Sequence, residues 1–404
     1  MDHKMHDATR IIHAGRNPKE QGWMVNPPIY QSSTIVFPTY QDFLYGEQGY
    51  SNNDLVKPYE LKYGHYGTQS NFAIEKAIAE IENGYNTFVT SSGKAAVYMA
   101  IMAFAGNGDH MLMVDNAYSP TRSFCNNFIN KFGVETTFYD PYVGADIEKL
   151  IKPNTKVIFM ESPGSLSYEV QDIKAICEVA KKHNIVTIVD NSWASGIYFK
   201  PLNHGADISL MAVTKYINGH SDIMMGAVTV QERHFKTMYN SFRHLGVVAA
   251  PFNCYLAQRG LRTVKVRMDQ SAKTALEIAT WLEQRPEVAK VLYPALPSSK
   301  DHALWKRDFT GAASVFSIVL DRKYSPESMS AMLDGLQLHS MGYSWGGYET
   351  LILPINIAKV RTATSWNYGD NTAFRISVGL EDVNDLREDL EAGLNRLKAS
   401  SANS

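Results

Sequence analysis

From about residue 70 the apolar and polar positions alternate between two rhythms. Residues 71–82 carry Phe72, Ile74, Ala77, Ile78 and Ile81 at helical spacing, which predicts an amphipathic helix. Residues 88–90 are a short apolar strand, and 94–105 return to a helical pattern after the turn Ser91-Ser92-Gly93. The same alternation predicts strands over 110–114, 135–139, 156–161, 185–190 and 208–213, with helices over 120–131 and 173–184. Strands alternating with helices imply right-handed crossovers and a mostly parallel sheet, so the fold class is α/β.

The flanks differ. Residues 1–65 are broken by Pro27, Pro28, Pro38 and Pro58 and by several Gly and Tyr residues. They read as an extended N-terminal arm, and so long an irregular segment makes sense if it packs on a neighbouring subunit. A large domain over 66–257 follows. A helical segment over 258–288 leads into a small α+β domain over 258–404, with strands over 291–295, 313–320 and 374–378 and a closing helix over 387–397. The tail from Ala399 reads as disordered.

Composition narrows the class without naming the chemistry. The 404 residues are 45% hydrophobic and 20% charged, an ordinary globular balance. A net charge of −2 leaves no basic footprint for nucleic acid. No apolar run approaches the roughly 20 residues of a membrane span, and the polar start has no signal-peptide core. Cys125, Cys177 and Cys254 show no paired spacing, which fits a reducing, cytoplasmic setting. No metal site is expected.

In open parallel sheets, ligands bind beyond the carboxyl ends of the strands. Four features stand there. Gly93 and Lys94 follow the first strand in a small-residue turn that opens a helix, a geometry that offers amide groups to a phosphate. Tyr118 follows the second strand and can stack on a planar ring. Asp190 closes the strand over 185–190. Thr214 and Lys215 follow the run 208–213, and a lysine at the end of a buried strand is costly unless it is used. Each feature alone reads as ordinary structure. One ligand explains all four. Pyridoxal phosphate needs a lysine for its Schiff base, an acid against its ring nitrogen, a phosphate cradle and an aromatic over the ring.

The segments Thr9-Arg-Ile-Ile-His-Ala-Gly15, Pro27-Pro-Ile-Tyr-Gln-Ser-Ser-Thr34, Asp190-Asn-Ser-Trp-Ala194 and Gly219-His-Ser-Asp222 resemble the Cys/Met-metabolism family of pyridoxal-phosphate enzymes, over nearly the whole chain. Glu161-Ser-Pro-Gly-Ser165, Tyr343-Ser-Trp-Gly-Gly-Tyr-Glu349 and Arg375-Ile-Ser-Val-Gly-Leu-Glu-Asp382 look most like its bacterial cystathionine β-lyases. The resemblance implies an aspartate-aminotransferase-like (fold type I) architecture and a homotetramer built from dimers with shared active sites. It implies that Lys215 binds the cofactor and moves protons. Asp190 pairs with the ring nitrogen. Tyr118 stacks on the ring and assists proton transfer. Gly93, Lys94 and Thr214 hold the phosphate, Arg375 holds the α-carboxylate of an amino-acid substrate, and Ser344 and Trp345 line its site. Tyr63 and His65 would reach the cofactor phosphate of the neighbouring subunit.

His65 departs from the family, which has arginine at that place. Arginine stays charged, whereas histidine is the side chain that changes charge near neutral pH. The implied reaction is β-elimination of cystathionine or a related cysteine conjugate to a thiol, pyruvate and ammonia. The alternatives are amino-acid racemisation, for example of alanine, a γ-acting lyase or synthase, which Trp345 argues against, and a non-catalytic binding protein, which the retained Lys215, Asp190, Tyr118 and Arg375 argue against.

Overall fold

The computed structural model describes residues 5–51 and 56–402. Expectations for residues 1–4, 52–55 and 403–404 lie outside the described residues. Among its described residues the arm holds two α-helices, α1 (Asp7–His13) and α2 (Tyr40–Ser51), and ends in a 3-10 turn at Gly64–Tyr66. Its start is docked on the body: Ile11 is buried, and Arg262 donates to the carbonyls of Ile11 and Ala14 at 2.7 and 2.9 Å.

The first sheet contains β1 (Asn86–Thr90), β2 (His110–Val114), β3 (Glu135–Tyr139), β4 (Thr155–Glu161), β5 (Val186–Asp190), β6 (Ile208–Met211) and β7 (Gly226–Val230). Its order is β1-β7-β6-β5-β4-β2-β3. β2 to β6 run parallel, and only β7 runs antiparallel to its neighbours. Every residue of β1, β2 and β7 is buried, as expected for a sheet covered by helices on both faces.

The covering helices are α3 (Gln69–Glu82), α4 (Gly93–Phe104), α5 (Ser119–Asn127), α6 (Ile173–Lys182) and α7 (Phe235–Leu245). Their starts follow local chemistry. Ser92 Oγ accepts from the Ala95 amide at 3.1 Å and Asp172 Oδ1 from the Ala175 amide at 3.2 Å, each capping a helix. α8 (Pro251–Leu282) begins on a proline, the residue suited to a first helical position. It therefore starts before residue 258, and the expected domain boundary at 257 falls inside a continuous helix.

A second sheet, ordered β10-β11-β12-β9-β8, combines β8 (Val288–Leu292), β9 (Val315–Leu320), β10 (Ser340–Met341), β11 (Leu351–Ile355) and β12 (Ala373–Ser377). Helices α9 (His302–Asp308), α10 (Pro326–Leu333) and α11 (Val383–Ala402) accompany it. α11 runs through residues 399–402, so that part of the expected disordered tail is helical; Leu386, Leu390, Leu394 and Leu397 bury its inner face.

One difference bears on the site. The strand expected over 208–213 ends at Met211. The Thr214 amide donates to the Met225 carbonyl, and the Met225 amide donates back to Thr214 Oγ1 at 2.9 Å. These bonds turn the chain. Lys215 thus stands on a tight turn just past the strand, with its own amide donating to the Ala212 carbonyl.

Candidate active site

Beyond the carboxyl ends of β4, β5 and β6 lies a cavity of about 600 Å³. Gly93, Lys94, Tyr118, Asp190, Thr214, Lys215, Ser344, Trp345 and Arg375 all line it. Residues more than 280 positions apart in sequence thus meet in one place. Tyr63 and His65 do not line it. Tyr63 precedes a short 3-10 turn, Gly64–Tyr66, and is 47% exposed; His65 lies within that turn, its ring 5.4 Å from that of Tyr66.

Lys215 Nζ donates to Ser344 Oγ at 2.6 Å and sits 5.1 Å from the centre of the Trp345 ring. Burial and the nearby Arg375 guanidinium lower its pKa to about 8, against the opposing pull of Asp190. Arg375 Nη2 donates to the Ser344 carbonyl at 2.8 Å. Ser344 therefore ties both cations through one residue, and its own backbone is held at φ +81°. A non-glycine residue in that region is strained, as happens where function over-determines the backbone.

The next residue but one permits the arrangement. Gly346 has φ +82°, and a Cβ there would lie 3.1 Å from the Tyr216 amide nitrogen. Gly346→Ala is expected to cost roughly 1–3 kcal/mol in backbone strain. A thermal unfolding midpoint lowered by roughly 1–4 °C would show this. An unchanged midpoint with unchanged turnover would remove the glycine requirement.

The acid side of the cavity is a pair. Glu161 and Asp190 close adjacent parallel strands and are register partners. Both are enclosed by protein while showing some surface to the cavity. Desolvation raises the pKa of each, and at Glu161 the neighbouring Asp190 raises it further. Glu161 Oε2 accepts the Tyr118 amide at 2.7 Å and so fixes the residue whose ring walls the cavity. Burial, reinforced by Glu161, also raises the Tyr118 phenol, which stays protonated at neutral pH.

A second pair of acids holds the rim. Asp115, fully buried, accepts from the amide and hydroxyl of Thr362 and from the amide and hydroxyl of Thr364 at 2.7–2.9 Å. Burial would raise its carboxyl, but these bonds hold it below the ordinary range. Arg361 pairs with Glu169 and donates to Ser167 Oγ at 2.6 Å. Residues 361–364 are thereby fastened to the large sheet, although they belong to the loop before β12.

Sequence reasoning assigned no role to Glu161, Asp115 or Lys359, which also lines the cavity. Glu161 and Asp115 shared the signal that singled out Asp190, an acid that follows an apolar strand. Lys359 lies in an aperiodic loop and carried no signal.

A flat, anionic ring cofactor fits these donors. First-turn amides of a helix have no partner within it, and Gly93 and Lys94, which open α4, line the cavity. Gly93 brings them close, since a Cβ there would meet Ala212 Cβ at 2.8 Å, three residues before Lys215. The desolvated Asp190 carboxyl accepts from the Ser192 amide at 2.9 Å and is suited to a cationic ring nitrogen.

Comparison with known proteins agrees with this chemistry. The chain is 44% identical over 97% of its length, and 98% of the relative's, to the L-alanine/L-glutamate racemase of Wolbachia pipientis wMel. It is 40% identical over 96% of its length, and 98% of the relative's, to the cystathionine beta-lyase MetC of Escherichia coli K12. The solved structure of metB from Corynebacterium glutamicum superposes with a TM-score of 0.87 at 30% identity, covering 98% of this chain and 99% of that one. The expected fold class is thus the observed one. The sequence model of one family spans residues 8–395, and on that match the chain belongs to the Cys/Met metabolism PLP-dependent enzymes, with pyridoxal phosphate as its cofactor.

Proposed function

We propose that this enzyme is a carbon–sulfur lyase that acts on cystathionine or a related cysteine conjugate. The observation that carries the reading is the size of the site. The cavity, about 600 Å³, is walled by Tyr343 and Lys359 as well as by Asp190, Lys215 and Arg375, a volume that takes an amino acid with a long side chain.

Bound pyridoxal phosphate supplies an electron sink for the charge that builds at the substrate Cα. Asp190 favours that by holding a proton on the ring nitrogen. Arg375 takes the α-carboxylate with its planar fork. Lys215 Nζ, with its lowered pKa, removes the Cα proton. Ser344 steers that amine through its 2.6 Å hydrogen bond. Tyr118, kept protonated, donates from the ring-stacking side. The Cα–H and Cβ–S bonds of cystathionine break, homocysteine leaves, and water converts the remaining three-carbon fragment to pyruvate and ammonia.

Gly93, Lys94 and Thr214 hold the phosphate in this reading. Tyr63 and His65, outside their own cavity, reach that of a second copy. The exposed arm residues Trp23 (75%), Val36 (81%) and Tyr40 (74%) support a dimer-of-dimers tetramer, which would cover them. Light scattering that returned the 45.2 kDa of a single chain would end that assembly. Three buried, unpaired cysteines fit a cytoplasmic setting, and no helix among the described residues is long and apolar enough to cross a membrane.

A second reading, amino-acid racemisation, is favoured by the Wolbachia relative, and it shares the Cα deprotonation. Purified enzyme incubated with cystathionine, alanine and glutamate separates the two. Pyruvate from cystathionine supports the lyase; D-alanine or D-glutamate without pyruvate replaces it.

The lysine's acidity is testable on its own. In cofactor-free enzyme, the rate at which an amine-selective reagent labels Lys215 should rise with pH and reach half its maximum near about pH 8. A midpoint above pH 10 would show an ordinary, solvated lysine.

A further inference from the structure

The cations of the cavity are not equivalent. Lys215 and Arg375 are both engaged with Ser344. Lys94 stands at the start of α4, at the phosphate end. Lys359 enters from the small-domain side, on the 3-10 turn Ala358–Val360. Among the described residues no carboxylate pairs with its ammonium. Its backbone, in contrast, is held. The Lys359 amide donates to Asn356 Oδ1 at 3.1 Å, and the anchored residues 361–364 follow directly. The two acids that line the cavity, Glu161 and Asp190, stand together at the strand ends of the large sheet. A solvent-exposed ammonium with no carboxylate partner among the described residues thus stands on a fixed turn at the cavity wall.

We infer that Lys359 binds a carboxylate at the far end of the substrate side chain, and so selects cysteine thioethers whose distal arm ends in an acid. The inference rests on the lyase reading. Arg375 already accounts for the α-carboxylate, so a second cation in the same cavity answers to a second anion. Lysine suits the task, because a compact charge on a flexible stem can follow acids held at different reach.

The test uses the loaded enzyme and two matched substrates, S-(2-carboxyethyl)-L-cysteine and S-propyl-L-cysteine, with pyruvate release as the readout. Lys359→Ala should lower kcat/KM for the acid by roughly fivefold to tenfold, chiefly through KM, and leave the propyl substrate within about twofold. Lys359→Arg should retain most of the preference, and Lys359→Glu should reverse it. Equal effects on both substrates, or none on either, would overturn the assignment. Wild-type enzyme that releases pyruvate from cystathionine but not from the carboxyethyl substrate overturns this inference alone; no pyruvate from cystathionine either overturns the lyase reading, and this inference with it.

Discussion

Lys215→Ala should lower turnover by at least about 10⁴-fold while leaving the fold intact. The cavity's other amines, those of Lys94 and Lys359, make no bond to Ser344. Arg375, the neighbouring cation, presents a guanidinium, which offers five donors and no acceptor. Lys94 stands in the first turn of α4. The lost contacts are a hydrogen bond to Ser344 Oγ and the approach to the Trp345 ring, neither of which the core depends on. Circular dichroism should therefore match the wild type, while the cofactor's absorbance changes because its covalent partner is gone. Retention of more than about 1% of turnover would remove Lys215 from the chemistry.

Arg375→Ala should lower kcat/KM by roughly 10²–10³-fold, the loss of a bidentate charged pair in a site shielded from solvent. KM should carry most of it. Arg375 has a second task, the 2.8 Å bond to the Ser344 carbonyl, and through Ser344 it acts on Lys215. Arg375→Lys separates the two: charge is restored but the planar fork is not, so binding should recover only in part. The Lys215 midpoint in cofactor-free Arg375→Ala should rise above about 8, because the repelling guanidinium is gone. Wild-type KM in Arg375→Ala would place the α-carboxylate elsewhere.

The parallel half of the fold was legible because its strands are buried on both faces. A run such as His110–Val114 has one periodicity and one length, and the helices between runs have another. The strand β7, Gly226–Val230, gave less: it follows the Lys215 turn in a Gly-containing stretch and runs against its neighbours, so no crossover helix announces it. β11 contains Pro354, which reads against a strand, yet Leu353 and Ile355 pair with β12 on either side. At the site, acids and a lysine after apolar runs stood out because burial makes them costly. Ser344 and Trp345 carried no such local signal; the family resemblance supplied them. Lys359 had neither, since its position in the cavity is decided by Asp115 and Glu169 far away in sequence.

The knot that Asp115 ties around Thr362 and Thr364 has a consequence for how such an enzyme diversifies. The loop's path is set by buried bonds, while the side chain at position 359 contributes to none of them. On the role proposed for Lys359, exchanging that side chain changes which distal arm the cavity accepts and leaves those anchoring bonds in place. A duplicated copy can then move toward a new substrate by single substitutions at that position.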